Sequence, residues 1–452
     1  MPVEVKNREF YSRLLLSLKA IERGYSVIFG RESQVKYRMS EFPRGIYFSK
    51  ILNPGSYEWH LNNTFKYGHV LVSNDEEGLA SAVNKNIYLS HRQSQELLER
   101  VHRFYAWGPS EADIISSNFK EIEHKVLPVG NPRVDIWKTG TAQMYSDEKG
   151  KFKKAYGPYI LMPSSFSMVR HLNGYEHVYQ SYARNNFFEK KEFKKEFDQL
   201  YAFRKEGLEK FVSAAKKIAD TFDINVVVRP HLSESMDAWI EDFKDFDNIL
   251  IKREGDIGPW ILGSEIVLHS FCTTGIEAFL MKKPLISYNA SEVHEYSNFV
   301  AGKLGLIAKE EDEVIQYVSD ILDGTIDRRA YQDESVAVLS EYIANAPDGV
   351  SSVDVILNDM DQIDLTESSF DNYKSFRYRL LKKTTREKIN ALLGRTKKIK
   401  NPSMEKLFLQ LFPRLSKSEL IDAITTLSEF NNKGLRVRVN QIDQDVFLLT
   451  KK

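Results

Sequence analysis

Short apolar segments alternate with longer amphipathic segments over most of this chain, and this alternation limits the possible folds more than any other feature. Strand-like segments occupy 3–5, 26–30, 45–48, 69–73, 103–107 and 125–129, and then 159–162, 224–230, 248–252, 265–269, 284–288 and 304–308. Repeated strand–helix units build a parallel sheet with helices on both faces. The sequence therefore predicts an α/β protein with two Rossmann-like lobes.

A polar stretch rich in lysine and glycine, residues 138–157, separates the two series and is typical of an interdomain linker. We predict an N-terminal lobe over 1–140, a C-terminal lobe over 155–350, and a small appendage over 370–452 that is first helical and then α/β. Two such lobes are expected to face a cleft. In open α/β sheets, ligands bind beyond the carboxyl ends of the strands, so candidate site residues are those that follow strands.

Charge and cysteine content exclude several classes of protein. The chain has 63 Lys and Arg against 63 Asp and Glu, so no basic field favours nucleic acid as a partner. Its one cysteine, Cys272, can form neither an intramolecular disulfide nor a CxxC-type zinc site. The N-terminus is too charged for a signal peptide, and no apolar run reaches the roughly 18 residues of a membrane span. We expect a cytoplasmic protein, soluble or attached peripherally to the inner membrane.

The tripeptide Arg229-Pro230-His231 directly follows a strand of the C-terminal lobe. Pro230 ends the strand, and the flanking guanidinium and imidazole could meet a phosphate at the rim. A strand-end turn with a surface ion pair is the alternative. Ser164 follows the first strand of the same lobe, where small residues would let backbone amides approach a phosphate.

The segment 269–288 contains a second candidate phosphate site, in which a strand leads through a Ser/Thr turn into a helix near Gly275. Free N–H groups at such a helix start favour an anion. Glu277, in the first helical turn, could accept hydrogen bonds from the hydroxyls of a ribose. Helix capping is the alternative for these residues. The turn adds hydroxyl donors from Ser270, Thr273 and Thr274.

The N-terminal lobe carries carboxylates after its strands. Asp75, Glu76 and Glu77 are consecutive, and such crowding raises at least one pKa and suits acid–base or nucleophilic chemistry. A solvated helix start is the alternative. Further candidates for contact with an acceptor or sugar, each with a structural ion pair or turn as the alternative, are Glu4, Arg8, Glu9 and Arg133.

Signatures of a metal or of a metal-bound nucleotide are missing from the sequence. There is no histidine cluster with ligand spacing, no Walker A run and no GxGxxG, and the acidic pair Asp359 and Asp361 lies in a connector rather than after a strand. We therefore expect a metal-independent protein without a resident cofactor.

Several segments follow one another in a characteristic order over about residues 2–345: RLLLSLKAIERGYSVIFGR (13–31), DEEGL (75–79), WG (107–108), VGNPRVD (129–135), VVRPHLSE (227–234), and Trp260 followed by SFCTTGIEA (270–278). As a set, these segments resemble the bacterial surface carbohydrate biosynthesis protein family. That family is similar in turn to GT-B glycosyltransferases of capsule and lipopolysaccharide synthesis, above all the transferases of Kdo and of nonulosonic acids such as pseudaminic acid.

The resemblance implies a GT-B-like fold and transfer of a CMP-activated ulosonic acid, without metal, to a growing surface glycan or lipid-linked acceptor. It implies that Arg229, His231, Ser270, Thr273 and Thr274 bind the donor phosphate and that Glu277 binds the ribose. Glu76 or Glu77 would act as base or nucleophile, with Glu77 standing where some Kdo transferases have aspartate, and Leu232 replaces a proline of the related turn. Alternatives are a nucleotide-sugar 2-epimerase, a CDP-polyol phosphotransferase and a non-catalytic glycan-assembly factor.

Two further segments stand out by composition. Residues 174–222 form an aromatic and charged helical region that is too long for a simple crossover and is expected to project from its lobe. Residues 371–400 hold eleven Lys and Arg against two acids, interleaved with aromatic and leucine side chains. This pattern predicts either a helix lying on an anionic membrane face or a closing helix with a solvated basic face.

Overall fold

The computed structural model describes residues 1–82, 85–140, 144–184, 191–290, 300–365, 385, 411–431 and 434–452. The chain divides into two compact units. Unit 1 comprises Met1–Ser81, Tyr88–Ile136 and Ile343–Lys452, and unit 2 comprises Ala82–Ile87 and Trp137–Tyr342. The basic segment 371–400 lies outside the described residues apart from Thr385, so its role stays a prediction.

The described residues of unit 2 form one six-stranded parallel sheet. Its strands are β7 (Tyr159–Pro163), β8 (Asn225–Arg229), β9 (Ile249–Ile251), β10 (Ile266–His269), β11 (Leu285–Tyr288) and β12 (Leu306–Ala308). Their order in the sheet is β12-β11-β10-β7-β8-β9, which is the doubly wound order of a Rossmann fold. The central strands β7, β10 and β11 are buried at every position, as expected for a sheet covered on both faces.

The described residues of unit 1 form two four-stranded sheets, ordered β1-β2-β14-β13 and β3-β4-β5-β6. The strands are β1 (Pro2–Val3), β2 (Val27–Arg31), β3 (Ile46–Ser49), β4 (Val70–Asn74), β5 (Arg103–Ala106), β6 (Val126–Pro128), β13 (Val437–Asp443) and β14 (Val446–Lys451). The second sheet is parallel throughout, and β1 pairs with β2 in parallel. The predicted α/β fold class is confirmed, with parallel sheets in two compact units, as expected for two Rossmann-like lobes.

Helices connect the strands in both units. Those of unit 1 are Lys6–Glu22, Glu32–Tyr37, Tyr57–His60, Gln95–Arg100, Pro109–Asn118, Pro132–Asp135, Ser352–Met360 and Lys417–Asn431. Those of unit 2 are Lys85–Ile87, Ser146–Tyr156, Ser167–Arg170, Gly174–Arg184, Phe193–Thr221, Met236–Asp242, Ile257–Gly263, Thr274–Leu280, Glu311–Leu322 and Arg329–Tyr342. None of the helices in the described ranges is long and apolar enough to cross a membrane.

The described part of the region 174–222, which was expected to project, contains two helices with different surroundings. The second, Phe193–Thr221, is called the long helix below. Its C-terminal half, from Leu208 to Ala219, packs into the core of the unit 2 sheet. Its N-terminal half packs with Gly174–Arg184 in a smaller aromatic cluster. The long helix therefore serves as the crossover after β7 and also carries a small additional core.

The C-terminal strands, expected within a separate module, pair with the N-terminal sheet instead. β14 is antiparallel to β2, with Phe447 opposite Phe29 and Leu449 opposite Val27. Gly30 permits a close approach here, because a Cβ at this position would lie 2.1 Å from the carbonyl oxygen of Asp445. The end of the chain is thus part of the architecture of unit 1.

Buried polar contacts hold the returning chain in unit 1. The Asp135 carboxylate accepts hydrogen bonds from the Asn345 side chain at 2.7 Å and from the amides of Ser352 and Val353 at 3.1 and 2.9 Å. Gly130 must be glycine, since it has a φ of +89° and an added Cβ would lie 1.9 Å from Asn345 Oδ1. The Gly-Asn-Pro turn therefore has a structural role.

Candidate functional site

The topological switch point of unit 2 lies between β7 and β10, where the strand order reverses. Ligands of doubly wound sheets bind in the crevice at the carboxyl ends of these two strands. Ser164 and Ser165 follow β7, and Ser270 follows β10. The Ser165 hydroxyl donates to the Ser270 carbonyl at 2.7 Å and so links the two turns. The predicted phosphate-site residues Ser164 and Ser270 thus flank the switch point.

A buried histidine shapes the turn after β10. His269 Nδ1 accepts the Cys272 N–H at 3.2 Å, and its Nε2 lies 3.0 Å from the Ser287 hydroxyl. Ser287 Oγ is within 2.5 Å of the Leu304 carbonyl, to which it donates, so we infer that His269 is neutral and protonated at Nε2. Burial lowers the pKa of His269 to about 3, in agreement with a neutral ring.

The same histidine explains Gly275. An added Cβ at this position would lie 2.2 Å from His269 Nε2, so the helix Thr274–Leu280 can pack on the imidazole only where a side chain is missing. Phe271 in the turn has a φ of +51°, in the left-handed region. Thr273 is exposed, and Thr274 and Glu277 are partly exposed next to it. The predicted hydroxyls and carboxylate therefore lie together after β10.

The side chain of Arg229, which was predicted to bind phosphate, makes hydrogen bonds within its own unit in this structure. Its guanidinium donates to the backbone carbonyls of Glu254 and Gly255 at 2.8 and 2.6 Å and lies 5.7 Å from the ring centre of Trp260. These contacts fix the loop after β9. A phosphate role for Arg229 would require these hydrogen bonds to be exchanged.

His231 lies beyond the end of β8 and is exposed. Its Nδ1 accepts the Ser233 N–H at 3.3 Å and lies 2.8 Å from the Ser233 hydroxyl. Desolvation by neighbouring protein, together with the charge of Arg253, lowers the pKa of His231. The imidazole is therefore neutral at neutral pH, with Nε2 left to donate to a ligand oxygen.

Glu234 is a buried acid at this edge that sequence reasoning missed. Its Oε2 accepts hydrogen bonds from Ser164 Oγ at 2.7 Å and from Trp239 Nε1 at 2.9 Å. Burial raises the pKa of Glu234. The Ser164 hydroxyl is thus held by an acid of its own unit, and Glu234 fixes the turn after β7.

Unit 1 gathers ionisable side chains at the carboxyl ends of β1, β3 and β4. We call this group the charged cluster. The Glu76 amide donates to the Lys50 carbonyl at 3.1 Å, which joins the segments that follow β3 and β4. Lys50 also contacts the Glu4 carboxylate. The cluster consists of Glu4, Arg8, Glu9, Arg13, Lys50, Asp75, Glu76, Glu77, Arg92 and Arg133.

Glu77 is the most exposed carboxylate of the charged cluster, with 48% of its side chain accessible. Its oxygens accept hydrogen bonds from Arg8 at 3.1 Å and from Arg92 at 2.8 Å. Partial burial alone would raise the pKa of Glu77, but the two guanidinium groups outweigh burial and lower it. Glu77 is therefore an oriented, ionised carboxylate that solvent or a ligand can reach.

Glu9 and Glu76 occupy the interior of the charged cluster. Glu9 is 0% exposed and accepts the Glu4 N–H at 2.8 Å and a hydrogen bond from Arg8 at 3.3 Å. Burial and the nearby Glu76 raise the pKa of Glu9 to about 7. Glu76 lies 2.7 Å from the guanidinium of Arg13, which is itself buried against the Phe48 ring.

The predicted residue Arg133 reaches the same cluster, with its guanidinium 3.5 Å from the Glu76 carbonyl. Sequence reasoning missed Arg13, Lys50 and Arg92. Arg13 gave a signal, because it directly precedes the apolar run Leu14–Leu16 of a buried helix, where a charge needs a partner. Lys50 and Arg92 gave no such signal, because the acidic residues that they contact are distant from them in the sequence.

Two of the sequence segments that carry the family resemblance, DEEGL (75–79) and WG (107–108), meet beside the charged cluster. The Trp107 indole donates to the Asp75 carbonyl, and the Trp107 amide donates to Glu111 at 2.6 Å. A Cβ at Gly78 would lie 2.3 Å from the Trp107 ring, so this position requires glycine. Burial, and secondarily Asp75, raises the pKa of Glu111 to about 8. Packing thus explains why DEEGL and WG occur together.

Within the part of the chain that the structure describes, no group of three or more histidine, cysteine, aspartate or glutamate side chains could hold a metal ion. The acidic pair of the connector has structural partners: Asp359 accepts hydrogen bonds from Arg103 and Tyr105, and Asp361 accepts one from Arg23.

No protein-family model matches the chain, and no curated protein sequence matches it. Solved structures of similar fold include the wall teichoic acid polymerase TagF soaked with CDPG, at 12% identity over 70% of this chain and 72% of that chain, with a TM-score of 0.41. A putative UDP-N-acetylglucosamine 2-epimerase from Listeria monocytogenes has 15% identity over 73% and 78%, with a TM-score of 0.45. Anabaena HepE in complex with UDP-glucose has 12% identity over 73% and 80%, with a TM-score of 0.38.

Proposed function

We propose that this protein is a metal-independent GT-B glycosyltransferase that transfers a CMP-activated ulosonic acid, Kdo or a nonulosonic acid such as pseudaminic acid, to a bacterial surface polysaccharide. In this proposal, unit 2 binds the nucleotide of the donor and the charged cluster of unit 1 acts on the acceptor. The observation that carries the proposal is the placement of the polar turns after β7 and β10 at the switch point of a doubly wound sheet.

The donor role of unit 2 follows from the groups that its turns offer. Ser270 and Thr273 supply hydroxyls beside β10, and the neutral His231 can donate from Nε2 to a phosphoryl oxygen. Such donors stabilise the negative charge that develops on a departing nucleotide. Glu277 lies about one helical turn after Thr274. Its carboxylate could accept hydrogen bonds from the hydroxyls of a ribose.

The acceptor role of unit 1 follows from Glu77. Its carboxylate is accessible and oriented by two arginines, so it can accept a hydrogen bond from a sugar hydroxyl. Because the same arginines lower its pKa, it would take up the proton only as the attacking hydroxyl becomes acidic in the transition state. If the reaction retains configuration, the same carboxylate would be the nucleophile. Glu76 is buried against Arg13 and supports this geometry.

Glu9 makes the charged cluster sensitive to pH near neutrality. When Glu9 loses its proton, a negative charge appears on Glu9 beside Glu76. Arg8, which contacts both Glu9 and Glu77, is then attracted more strongly to Glu9. We expect the rate of transfer to respond to this ionisation, because Arg8 also orients Glu77.

The test is a transfer assay in EDTA with CMP-activated ulosonic acids and a lipid-linked glycan extract from the source cells. The proposal predicts release of CMP together with incorporation of the sugar into the glycan. Release of a free epimerised sugar from a UDP-sugar would favour the epimerase alternative. Incorporation of a polyol phosphate from a CDP-polyol into the glycan would favour the phosphotransferase alternative. Glycan binding without turnover of any nucleotide-activated donor would leave the non-catalytic assembly factor.

A further inference from the structure

Residues that immediately precede three parallel strands of unit 1 line a cavity of about 500 Å³, which we call the basic cavity. His69 precedes β4, His102 precedes β5 and Lys125 precedes β6. They therefore lie at the amino edge of the sheet, whereas the charged cluster lies at its carboxyl edge. Burial lowers the pKa values of His69 and His102, so at neutral pH both are uncharged. None of the described residues that line the basic cavity is acidic, and its basic residues are His69, Arg100, His102, Arg103, His124 and Lys125.

Two cations of the basic cavity have no acidic partner. Arg103 is paired, since its guanidinium lies 2.9 Å from the Asp359 carboxylate. Lys125 Nζ instead donates to the Glu99 carbonyl at 2.6 Å, and the Arg100 guanidinium lies 5.8 Å from the centre of an aromatic ring in the cavity wall. Among the described residues, no carboxylate forms an ion pair with Arg100 or Lys125. Both side chains are at least partly exposed, so an anion can reach them and would be attracted by both charges.

A second cavity of unit 1, which we call the apolar cavity, adjoins the basic cavity. Its volume is about 490 Å³, and His69 lines both cavities. Arg44 also lies near this boundary, because it lines the apolar cavity and its Nε donates to the Gly68 carbonyl at 3.1 Å. Apolar side chains from both sheets of unit 1 and from neighbouring helices form much of the remaining wall, among them Val27, Ile28, Val35, Met39, Ile46 and Met360.

The apolar cavity is much larger than the voids that packing normally leaves in a protein. Interiors are close-packed and contain few voids larger than a water molecule. An apolar cavity of about 150 Å³ already binds benzene, and ligand pockets have volumes of about 300–1,000 Å³. The apolar cavity lies at the amino end of β2, next to Val27 and Ile28, whereas β1 pairs with Gly30 and Arg31 near the carboxyl end. Its size and walls therefore suit an apolar ligand.

We propose that unit 1 binds a phosphate-bearing lipid at these two cavities, with the phosphate in the basic cavity and the first part of the hydrocarbon chain in the apolar cavity. A phosphate matches the two unpaired cations, and a hydrocarbon chain gains free energy from burial against apolar walls. Leu365 lines the apolar cavity, and the basic segment, one of whose predicted roles is contact with an anionic membrane, begins at residue 371. This lipid site rests on unit 1 alone and is independent of the proposed CMP donor.

The test uses the full chain and soluble alkyl phosphates of increasing length. Calorimetric titrations compare hexyl, octyl and decyl phosphate with inorganic phosphate and with octanol, which has the chain without the charge, all below the concentrations at which they form micelles. Each methylene that enters an apolar site strengthens binding by about fourfold. We expect the alkyl phosphates to follow this increase, and octyl phosphate to bind more tightly than either inorganic phosphate or octanol.

Two variants and a control separate the contributions of the two cavities. Arg100→Gln combined with Lys125→Gln removes the unpaired charges, and Ile28→Trp fills part of the apolar cavity from a partly exposed position. The control combines Lys120→Gln and Lys417→Gln, two exposed lysines of the same unit that line neither cavity. The charge variant should bind octyl phosphate about tenfold to hundredfold more weakly, with octanol binding unchanged. Ile28→Trp should weaken binding of both ligands, and the control should match wild type.

Flotation with phosphatidylcholine vesicles identifies the source of the lipid. Vesicles that carry phosphatidylglycerol test a membrane phospholipid, and vesicles that carry a polyprenyl phosphate test a lipid carrier of glycans. Wild type and the control should float with at least one of these and not with pure phosphatidylcholine, whereas both cavity variants should float less.

Three results would overturn the lipid site: affinities that do not change with chain length, a folded charge variant that binds octyl phosphate as tightly as wild type, or wild type that floats with neither anionic vesicle. A melting temperature of Ile28→Trp clearly below that of wild type would also reject it, because the apolar cavity would then already be filled by the chain itself. Chain-length dependence that is lost in Ile28→Trp, in a protein that does not bind CMP, would support the lipid site and reject the proposed donor.

Discussion

Replacement of Glu9 by glutamine tests the reasoning about the charged cluster through protein stability. The carboxyl of Glu9 is fully buried, and its pKa in the folded protein is about 7 against an ordinary value of 4.5. Between these two pH values the folded state holds a proton that the unfolded state has released. The unfolding free energy therefore falls as pH rises through this window, and the difference of pKa corresponds to about 3 kcal/mol in total.

Glutamine at position 9 has no proton to lose, so Glu9→Gln should remove this part of the pH dependence. The variant should gain up to about 3 kcal/mol relative to wild type as pH rises from 5 to 8, because wild type alone must then bury an ionised carboxylate. Contributions from Glu111, whose pKa is raised to about 8, are common to both proteins and cancel in the difference.

The assay is urea unfolding at pH 5, 6, 7 and 8, with Glu121→Gln as the control, since Glu121 is an exposed acid of the same unit. We expect the unfolding free energies of wild type and Glu121→Gln to change with pH in the same way. The unfolding free energy of Glu9→Gln should rise relative to both as pH increases. Parallel curves for all three proteins would refute the raised pKa of Glu9, and with it the account of how the cluster responds to pH.

Three further substitutions probe the catalytic, donor-site and structural assignments. Glu77→Gln should slow transfer by about a hundredfold or more while leaving CMP affinity unchanged, with Glu121→Gln unaffected, and equal rates would remove Glu77 from catalysis. Gly275→Ala should cost about 1–3 kcal/mol by overpacking against His269, and a melting curve like that of Gly55→Ala, which meets no atom within 4 Å, would contradict this. Asp135→Ala should lower the free energy of unfolding by about 3 kcal/mol or more, because the buried N–H groups that donate to Asp135 would lose their acceptor. A urea midpoint equal to that of wild type would show that these hydrogen bonds do not hold the returning chain in unit 1.

The sheets were predictable because their strands are apolar and follow one another in sequence order. Each predicted strand of the second series corresponds to a strand of unit 2, and burial of β7, β10 and β11 at every position explains why their pattern was clear. The pairing of β14 with β2 was not predictable, because contacts across more than 400 residues depend on the whole fold rather than on local pattern.

Site residues were predictable as groups that follow strands, but their individual roles were not. Glu76, Glu77, Arg8 and Glu9 do lie together, since carboxyl ends of parallel strands converge. The hydrogen bonds of Arg229 could not be predicted, because their acceptors are backbone carbonyls, which every residue has.

The central claim, that unit 2 binds a cytidine monophosphate donor without metal, is tested most directly by thermal stabilisation in EDTA. CMP, CDP, UDP, GDP and ADP are compared with wild-type protein and with Glu277→Ala. A ligand at about 100 times its Kd that binds only the folded state adds about 2.7 kcal/mol of stability. The account predicts stabilisation by CMP alone and its loss in Glu277→Ala. Stabilisation by UDP or CDP instead, or by none of the five, would contradict it.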